Sequence, residues 1–180
     1  MSAIDCSRVA EIVAVMGATG AGKSLYIKGR IRKEKPARLL IWDPEGEYEG
    51  FGRDVSSLGE LVKLLQGAGR KSFRFVFRPV DDLSKAKKQF DMFCNIAFAA
   101  KDLWLIAEEL KFVTSPSYAP PGWSKINLRG RKHGITVIGA SQRPASIDKD
   151  FLGNATTVRA GRMNYEEDAK AVAKVLGVQV

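Results

Sequence analysis

Short apolar runs alternate with stretches of helical periodicity along most of the chain. Runs rich in β-branched and aromatic residues predict strands, and apolar residues repeating every three or four positions predict helices. The predicted strands are residues 11–16, 38–42, 72–77, 103–107, 135–140 and 156–160. The predicted helices are 22–33, a segment from Ser56 or Ser57 to Leu65, 82–101, 124–132 and 165–176.

This order of elements favours an α/β fold. Continuously apolar short strands that alternate with helices are typical of a mainly parallel sheet with helices on both faces. The segment 114–123 holds three prolines and predicts a loop, whose aromatic residues Tyr118 and Trp123 are expected either to pack or to form a partner surface. With no internal repeat or linker, we expect a single domain over residues 1–180.

Charge and cysteine content narrow the possible partners and sites. The formal net charge of +9 favours polyanionic partners, with nucleic acid ahead of an anionic membrane surface. The two cysteines, Cys6 and Cys94, lack zinc-site spacing, and Cys94 is expected to be a buried free thiol. No apolar run reaches the ~18 residues that span a bilayer, so we expect no intrinsic membrane segment and an intracellular protein.

Residues 17–24, GATGAGKS, match the phosphate-binding pattern GxxxxGK[ST] between a predicted strand and a predicted helix. The glycines let backbone N–H groups point at phosphate oxygens, Lys23 supplies a cation for the β- and γ-phosphates, and Ser24 offers a hydroxyl to Mg²⁺. A ligand-free glycine turn is the alternative. The predicted nucleotide-binding residues are Gly17, Ala18, Thr19, Gly20, Ala21, Gly22, Lys23, Ser24 and Leu25.

Polar residues follow two further strands. Glu108 and Glu109 come directly after the apolar run 103–107, where ligands of open α/β sheets bind, and they predict an acidic metal ligand and a base for water. Gln142 follows the run 135–140 and is a candidate sensor of the γ-phosphate or the attacking water. The alternatives are a helix-capping acidic pair and a plain loop glutamine.

Four blocks together resemble the HerA/FtsK superfamily of P-loop ATPases. They are 17–24, DPEGEY at 43–48, 105–110, and GITVIGASQRPASID at 134–148. The last block, a strand ending in SQRP, is the most specific, and the resemblance covers roughly residues 10–176. The absence of additional domains resembles the minimal genome-packaging ATPases of viruses.

The resemblance implies a RecA-like core with the catalytic glutamate on an additional strand. It also implies ATP and Mg²⁺ as cofactors and a homo-oligomeric ring, hexameric or pentameric, around double-stranded DNA. By position, Lys23 and Gln142 act on the nucleotide, Ser24 and Glu108 hold the metal, and Glu109 is the catalytic base. Capsid or portal-vertex proteins are possible further partners, and the expected location is the host cytoplasm or the virion.

Such rings use an arginine from a neighbouring subunit to stabilise transition-state charge. Arg131 matches the family's basic position and is the first candidate, with Arg129 and Arg143 as alternatives. Glu108 departs from the family pattern, which has aspartate at this position, so metal geometry or turnover could differ.

Other functions remain open from the sequence. The same residues fit a cellular HerA-like DNA translocase or a phage assembly ATPase. A small-molecule kinase shares the phosphate loop, although no lid is evident. Glu108 in place of aspartate also leaves open a nucleotide-binding switch or adaptor with little hydrolysis.

Overall fold

The computed structural model describes residues 10–178, which form one seven-stranded sheet with flanking helices. Every pairing in this sheet is parallel, in the order β3-β4-β2-β5-β6-β1-β7. The predicted parallel α/β architecture is therefore confirmed. The strands are β1 Ile12–Met16, β2 Arg38–Trp42, β3 Arg53–Val55, β4 Phe73–Phe77, β5 Leu103–Ala107, β6 Ile135–Ser141 and β7 Thr157–Ala160.

Six α-helices and three 3₁₀ turns connect these strands within the described residues. The helices are α1 Lys23–Glu34, α2 Leu58–Ala68, α3 Leu83–Ala100, α4 Pro121–Arg129, α5 Lys149–Asn154 and α6 Glu166–Leu176. The 3₁₀ turns are Leu110–Phe112, Gly130–His133 and Pro144–Ser146. Between residues 10 and 178, none of the helices combines the length and the apolar character needed to cross a bilayer.

Side-chain caps fix where several helices begin. Ser57 accepts a hydrogen bond from the backbone N–H of Glu60 at 3.1 Å at the start of α2. Asp82 does the same for the N–H of Lys85 at 3.0 Å before α3. Each cap satisfies a backbone donor that a helix cannot satisfy internally, which typically contributes about 1 kcal/mol.

The two faces of the sheet are covered unequally. On one face, α1 packs Ile27 and Ile31 against β1 and β2, and the loop after β2 adds the buried ring of Tyr48. The other face carries the larger core, to which α2, α3, α4, α5 and α6 all contribute. An aromatic cluster lies at its centre, formed by Trp42, Phe77, Phe90, Phe93, Trp123 and Phe151.

The structure corrects two expectations from the sequence. Helix α4 begins at Pro121, inside the segment predicted to be a loop, because proline is well tolerated at the first position of a helix. Trp123 is completely buried, which agrees with packing, the first of the two alternatives for the aromatic residues of this segment, and Tyr118 is half exposed. The short elements β3 and α5 were not predicted. Cys94 is buried and free as expected, and Cys6 lies outside the described residues.

The strand order sets the positions of the predicted site residues. Strand β6 lies between β1 and β5, and β2 lies beyond β5. Because all strands are parallel, the segments that follow β1, β2, β5 and β6 leave the sheet at the same edge. In one detail this differs from the expectation: the glutamate pair follows β5, and Gln142 follows the inserted strand β6.

Candidate active site

A cleft of about 370 Å³ lies at this edge, at the carboxyl ends of β1, β2, β5 and β6. It gathers most of the polar residues singled out from the sequence. Its lining residues are Thr19, Gly20, Gly22, Lys23, Ser24, Leu25, Lys28, Asp43, Glu45, Glu47, Glu108, Glu109 and Gln142.

The phosphate loop between β1 and α1 has the backbone that its glycines predict. Gly20 and Gly22 have φ angles of 77° and 78°, in the left-handed region that side chains disfavour. Gly17 also has a positive φ, 153°, and a Cβ there would in addition lie 2.9 Å from the Cβ of Ala21. Helix α1 starts directly after this loop, so its free N–H groups and positive dipole end face the cleft.

Lys23 lies folded over the phosphate loop. Its Nζ donates hydrogen bonds to the carbonyl oxygens of Gly17 at 3.0 Å and Ala18 at 3.4 Å. The ammonium thus lies at the loop itself, where phosphate oxygens would replace the carbonyls as acceptors. Of the nine predicted nucleotide-binding residues, Gly17, Ala18 and Ala21 shape the loop without lining the cleft, and the other six line it.

Glu108 lies almost fully buried at the end of β5. Its Oε1 accepts a hydrogen bond of 2.5 Å from the hydroxyl of Tyr48. Burial raises the pKa of the Glu108 carboxyl to about 7, the bond from Tyr48 opposes that rise, and Glu47 and Glu109 add to it. Lys23, which lines the same cleft, lowers the pKa of Glu108.

Glu109 is the second acidic residue of the cleft and is held in a strained backbone conformation. Its φ of 48° lies in the left-handed region, a cost of order 1–3 kcal/mol for a non-glycine residue that is typical of functional sites. Its Oε1 accepts a hydrogen bond from Gln142 Nε2 at 2.5 Å. Its Oε2 is buried without a hydrogen-bond partner among the described residues, 3.9 Å from the Nζ of Lys111.

Gln142 links Glu109 to the phosphate loop. While its Nε2 donates to Glu109, its Oε1 accepts a hydrogen bond of 2.8 Å from the hydroxyl of Thr19. Thr19 belongs to the loop that follows β1, and Gln142 follows the neighbouring strand β6. A group that binds in the phosphate loop can therefore affect the position of Glu109 through a chain of two hydrogen bonds.

The donors in the cleft fit Mg²⁺. Ser24 and Glu108 offer a hydroxyl and a carboxylate, the hard oxygen ligands that Mg²⁺ prefers. Within residues 10–178, no group of three or more His, Cys, Asp or Glu side chains could hold a metal ion alone. This matches the usual mode of Mg²⁺, which takes one or two protein ligands and completes its shell with phosphate oxygens and water.

The three candidate arginines lie at two edges of the sheet. Arg131 and Arg129 precede β6, at the edge opposite the cleft, and both are exposed. The Nε of Arg131 donates to the carbonyl of Ala10 at 3.1 Å. Arg143 follows β6 beside the cleft, where its Nε lies 2.8 Å from Asp168 Oδ2 and its guanidinium stacks on Tyr165.

The sequence singled out the DPEGEY block of the loop after β2, and Asp43 and Glu47 line the cleft, but the contact of this loop with Glu108 was missed. Asp43 is completely buried and accepts hydrogen bonds of 2.9 Å from the backbone N–H groups of Glu47 and Tyr48. This arrangement closes the loop and brings Tyr48 to Glu108. The available signal was the acidic turn directly after a buried strand, at the same edge as the phosphate loop.

Comparisons with known proteins agree with this geometry. No family model matches the chain. The chain is 31% identical over 163 residues to Protein P9 of Pseudoalteromonas phage PM2, which covers 88% of this chain and 72% of that protein.

Among solved structures, the fold is similar to B204, the DNA-packaging ATPase of Sulfolobus turreted icosahedral virus. The TM-score is 0.70 at 22% identity, covering 92% of this chain and 82% of that one. It is also similar to the genome packaging NTPase B204 of Sulfolobus turreted icosahedral virus 2 in complex with ATP-gammaS. Here the TM-score is 0.67 at 18% identity, with 94% and 83% covered. At these identities the structures establish the RecA-like α/β fold, with β6 between β1 and β5. From the relationship to Protein P9, this fold and the phosphate-loop motifs, we conclude that the chain belongs to the same family as Protein P9 and to the HerA/FtsK superfamily of P-loop ATPases.

Proposed function

We propose that this chain is an ATP-hydrolysing motor that assembles into a ring and translocates double-stranded DNA, packaging a viral genome into a capsid. One observation carries the proposal: a single cleft brings a phosphate loop, two buried glutamates and a strand-end glutamine together. The solved neighbours named as packaging ATPases and NTPases support the same reading, because they share the fold over most of their length.

Each of these residues of the cleft has its own role in the proposed hydrolysis. The phosphate loop and Lys23 bind the triphosphate and offset its negative charge. Ser24 and Glu108 would hold Mg²⁺, which when bound offsets charge on the β- and γ-phosphates. Glu109 accepts a proton from the attacking water, a role that suits its buried Oε2, which accepts no hydrogen bond among the described residues and has Lys111 Nζ 3.9 Å away.

Gln142 is suited to couple nucleotide state to catalysis. In the described state it holds Glu109 Oε1 and accepts from Thr19. A γ-phosphate beside Thr19 would compete for these hydrogen bonds and leave Glu109 able to approach water. The coupling requires no movement of the sheet, because both partners of Gln142 follow strands β1 and β5 that flank β6.

The positive charge of the chain supports a DNA substrate. With a net charge of +9, contacts to phosphates are favoured whatever the base sequence. A motor that moves along a duplex needs such sequence-independent contacts. We expect DNA-stimulated hydrolysis that weakens steeply as salt rises, since DNA contacts release counterions.

The test is ATP hydrolysis by the purified chain with and without double-stranded DNA, over a range of salt concentrations and beside Glu109→Gln. DNA should stimulate the wild type and the Glu109→Gln variant should bind ATP without turnover. Glu49→Gln is the matched control, because Glu49 is exposed and does not line the cleft. The proposal is abandoned if DNA has no effect on hydrolysis and no ring forms with nucleotide present.

A second candidate function is a nucleotide-binding switch with little hydrolysis. Its support is Glu108, a glutamate where the superfamily has aspartate, whose buried carboxyl has a pKa of about 7 and is engaged by Tyr48. In the same assay, this candidate predicts equal ATP binding by the wild type and Glu109→Gln with turnover by neither.

A further inference from the structure

The hydroxyl of Tyr48 is buried against Glu108, and the proposed reaction assigns no role to Tyr48. The Tyr48 side chain is completely buried, and its hydroxyl donates to Glu108 Oε1 at 2.5 Å. Burial first, and then the charge of Glu108, raise the pKa of Tyr48, so the phenol stays protonated and remains a hydrogen-bond donor. The two residues are 60 positions apart in the chain, so the contact depends on the tertiary fold.

The position of this hydroxyl is fixed from both ends of the tyrosine. At the backbone, the N–H of Tyr48 donates to Asp43 Oδ2 at 2.9 Å, and Asp43 is itself completely buried. At the ring, Phe51 packs edge-on at 5.7 Å and Lys28 Nζ lies 5.3 Å from the ring centroid. A donor held in this way restricts the orientation of the carboxylate that it contacts.

This restriction matters more for glutamate than for aspartate. Glutamate has one more rotatable bond, so fixing its carboxylate in one orientation costs more conformational entropy. The hydrogen bond from the rigid Tyr48 phenol already orders the Glu108 carboxylate in the metal-free protein. Part of this conformational entropy is therefore lost before a metal ion binds. The hydroxyl of Tyr48 is thus placed to contact the carboxylate of a glutamate at position 108.

We infer that Tyr48 is a positioning residue that holds Glu108 in the orientation needed for Mg²⁺ bound with nucleotide. Asp43 supports Tyr48 through the backbone and acts one step further from the metal. The inference deepens the proposed function and rests on it only for the identity of the site as a Mg²⁺–nucleotide site.

The test compares Tyr48→Phe with the wild type by calorimetric titration with ATP-gammaS, once with Mg²⁺ and once with EDTA. The substitution removes only the hydroxyl. We expect affinity in EDTA to stay within about twofold, and the Mg²⁺ concentration for half-maximal tight binding to rise about 10- to 100-fold, as is usual when a partner of a metal ligand is lost. Tyr118→Phe is the matched control, because Tyr118 is half exposed in a loop outside the cleft.

A second comparison separates positioning from a general effect on folding. In a Glu108→Gln background, Tyr48→Phe should produce no further change in the Mg²⁺ requirement, because the group it positions is gone. Thermal unfolding of each variant checks that the fold is intact. A purely structural role would lower both EDTA and Mg²⁺ affinities together and would persist in the Glu108→Gln background.

Either of two results overturns the inference: an unchanged Mg²⁺ requirement in folded Tyr48→Phe, or additive effects of the two substitutions. Failure of the proposed motor function is distinguishable, because it would appear as absent DNA stimulation and turnover in the wild type. The Mg²⁺ titration with ATP-gammaS needs neither DNA nor turnover.

Discussion

Gln142 donates a hydrogen bond to Glu109 at 2.5 Å, and this contact places a neutral amide against the proposed catalytic carboxylate. The same amide accepts from Thr19 of the phosphate loop at 2.8 Å. The proposed base and the phosphate loop are therefore joined through one side chain, and the contact accounts for the position of Gln142 at the end of the strand between them.

The first prediction concerns this side chain. Gln142→Ala should lower the maximal hydrolysis rate about 100-fold, the scale of a lost positioning contact to a general base, while changing nucleotide affinity by less than about threefold. Steady-state kinetics and nucleotide titration measure the two quantities. Gln66→Ala, at an exposed position on α2, should change neither. A large loss of affinity with unchanged maximal rate would assign Gln142 to binding alone.

The second prediction follows from the buried carboxyl of Glu108. Its pKa is raised from 4.5 to about 7, so between these values the folded protein holds a proton that the unfolded chain has released. Stability must then fall as pH rises through this window. The lost free energy is roughly 2–4 kcal/mol above pH 7, from the size of the shift.

Glu108→Gln should therefore raise the free energy of unfolding at pH 8 relative to wild type, and the gain should shrink towards pH 5. Chemical denaturation of the nucleotide- and metal-free protein at both pH values gives the difference. Glu49→Gln, an exposed glutamate, provides the comparison. A gain that is the same at pH 5 and pH 8 would show that the carboxyl of Glu108 is not the group that titrates.

The third prediction tests whether Arg131 acts between subunits. Arg131 lies at the edge of the sheet opposite its own cleft, so in the proposed ring it would act on the nucleotide of a neighbouring subunit. Arg131→Ala and Glu109→Gln should each be inactive alone, yet an equal mixture should recover about a quarter of wild-type hydrolysis, since one interface type in four is intact.

A mixture of Lys23→Ala with Glu109→Gln is the control for this experiment. Both changes damage the cleft of their own subunit, so no complete site can form and activity should stay absent. If Arg131→Ala alone remains active, the same mixing experiment is repeated with Arg129→Ala, because Arg129 lies at the same edge of the sheet. Recovery in the Lys23→Ala control would mean that the sites exchange residues in another way.

The fourth prediction concerns the packing beneath the site. A Cβ at Gly139 in β6 would lie 2.5 Å from the ring of Phe151 and 2.8 Å from Leu110. Gly139→Ala should therefore destabilise the fold by about 1–3 kcal/mol through overpacking. Gly29→Ala, at an exposed helical position with no atom within 4 Å, should instead stabilise it by about 0.5–1 kcal/mol. Equal effects in thermal or denaturant unfolding would contradict this packing.

The parallel sheet and the phosphate loop were predictable because they depend on local patterns. Apolar runs such as 103–107 are buried on both faces, and GATGAGKS needs specific backbone angles at its glycines. Strand β3 and helix α5 were missed because three and six residues give too little periodicity to detect. Helix α4 was placed too late because the prolines at its start indicate a loop as readily as a helix.

The candidate site likewise has features that the sequence predicted and one contact that it did not. Lys23, Ser24, Glu108, Glu109 and Gln142 were predicted, and the structure brings all five to one cleft, where their chemical roles stay predictions. The contact between Tyr48 and Glu108 was not predictable. It joins two segments 60 residues apart, and no local pattern records which buried tyrosine reaches which carboxylate.

The cleft and the two exposed arginines Arg129 and Arg131 lie at opposite edges of one parallel sheet, and this polarity restricts how copies of the chain can combine. A symmetric pair, in which each copy presents the same edge to the other, would bring cleft to cleft or arginine to arginine. If either arginine acts between subunits, a pair that meets edge to edge cannot complete a site, whereas a head-to-tail row completes one at every contact and leaves one terminal cleft unserved while it is open. The rate of ATP hydrolysis per subunit should then rise with protein concentration until the row of subunits closes into a ring.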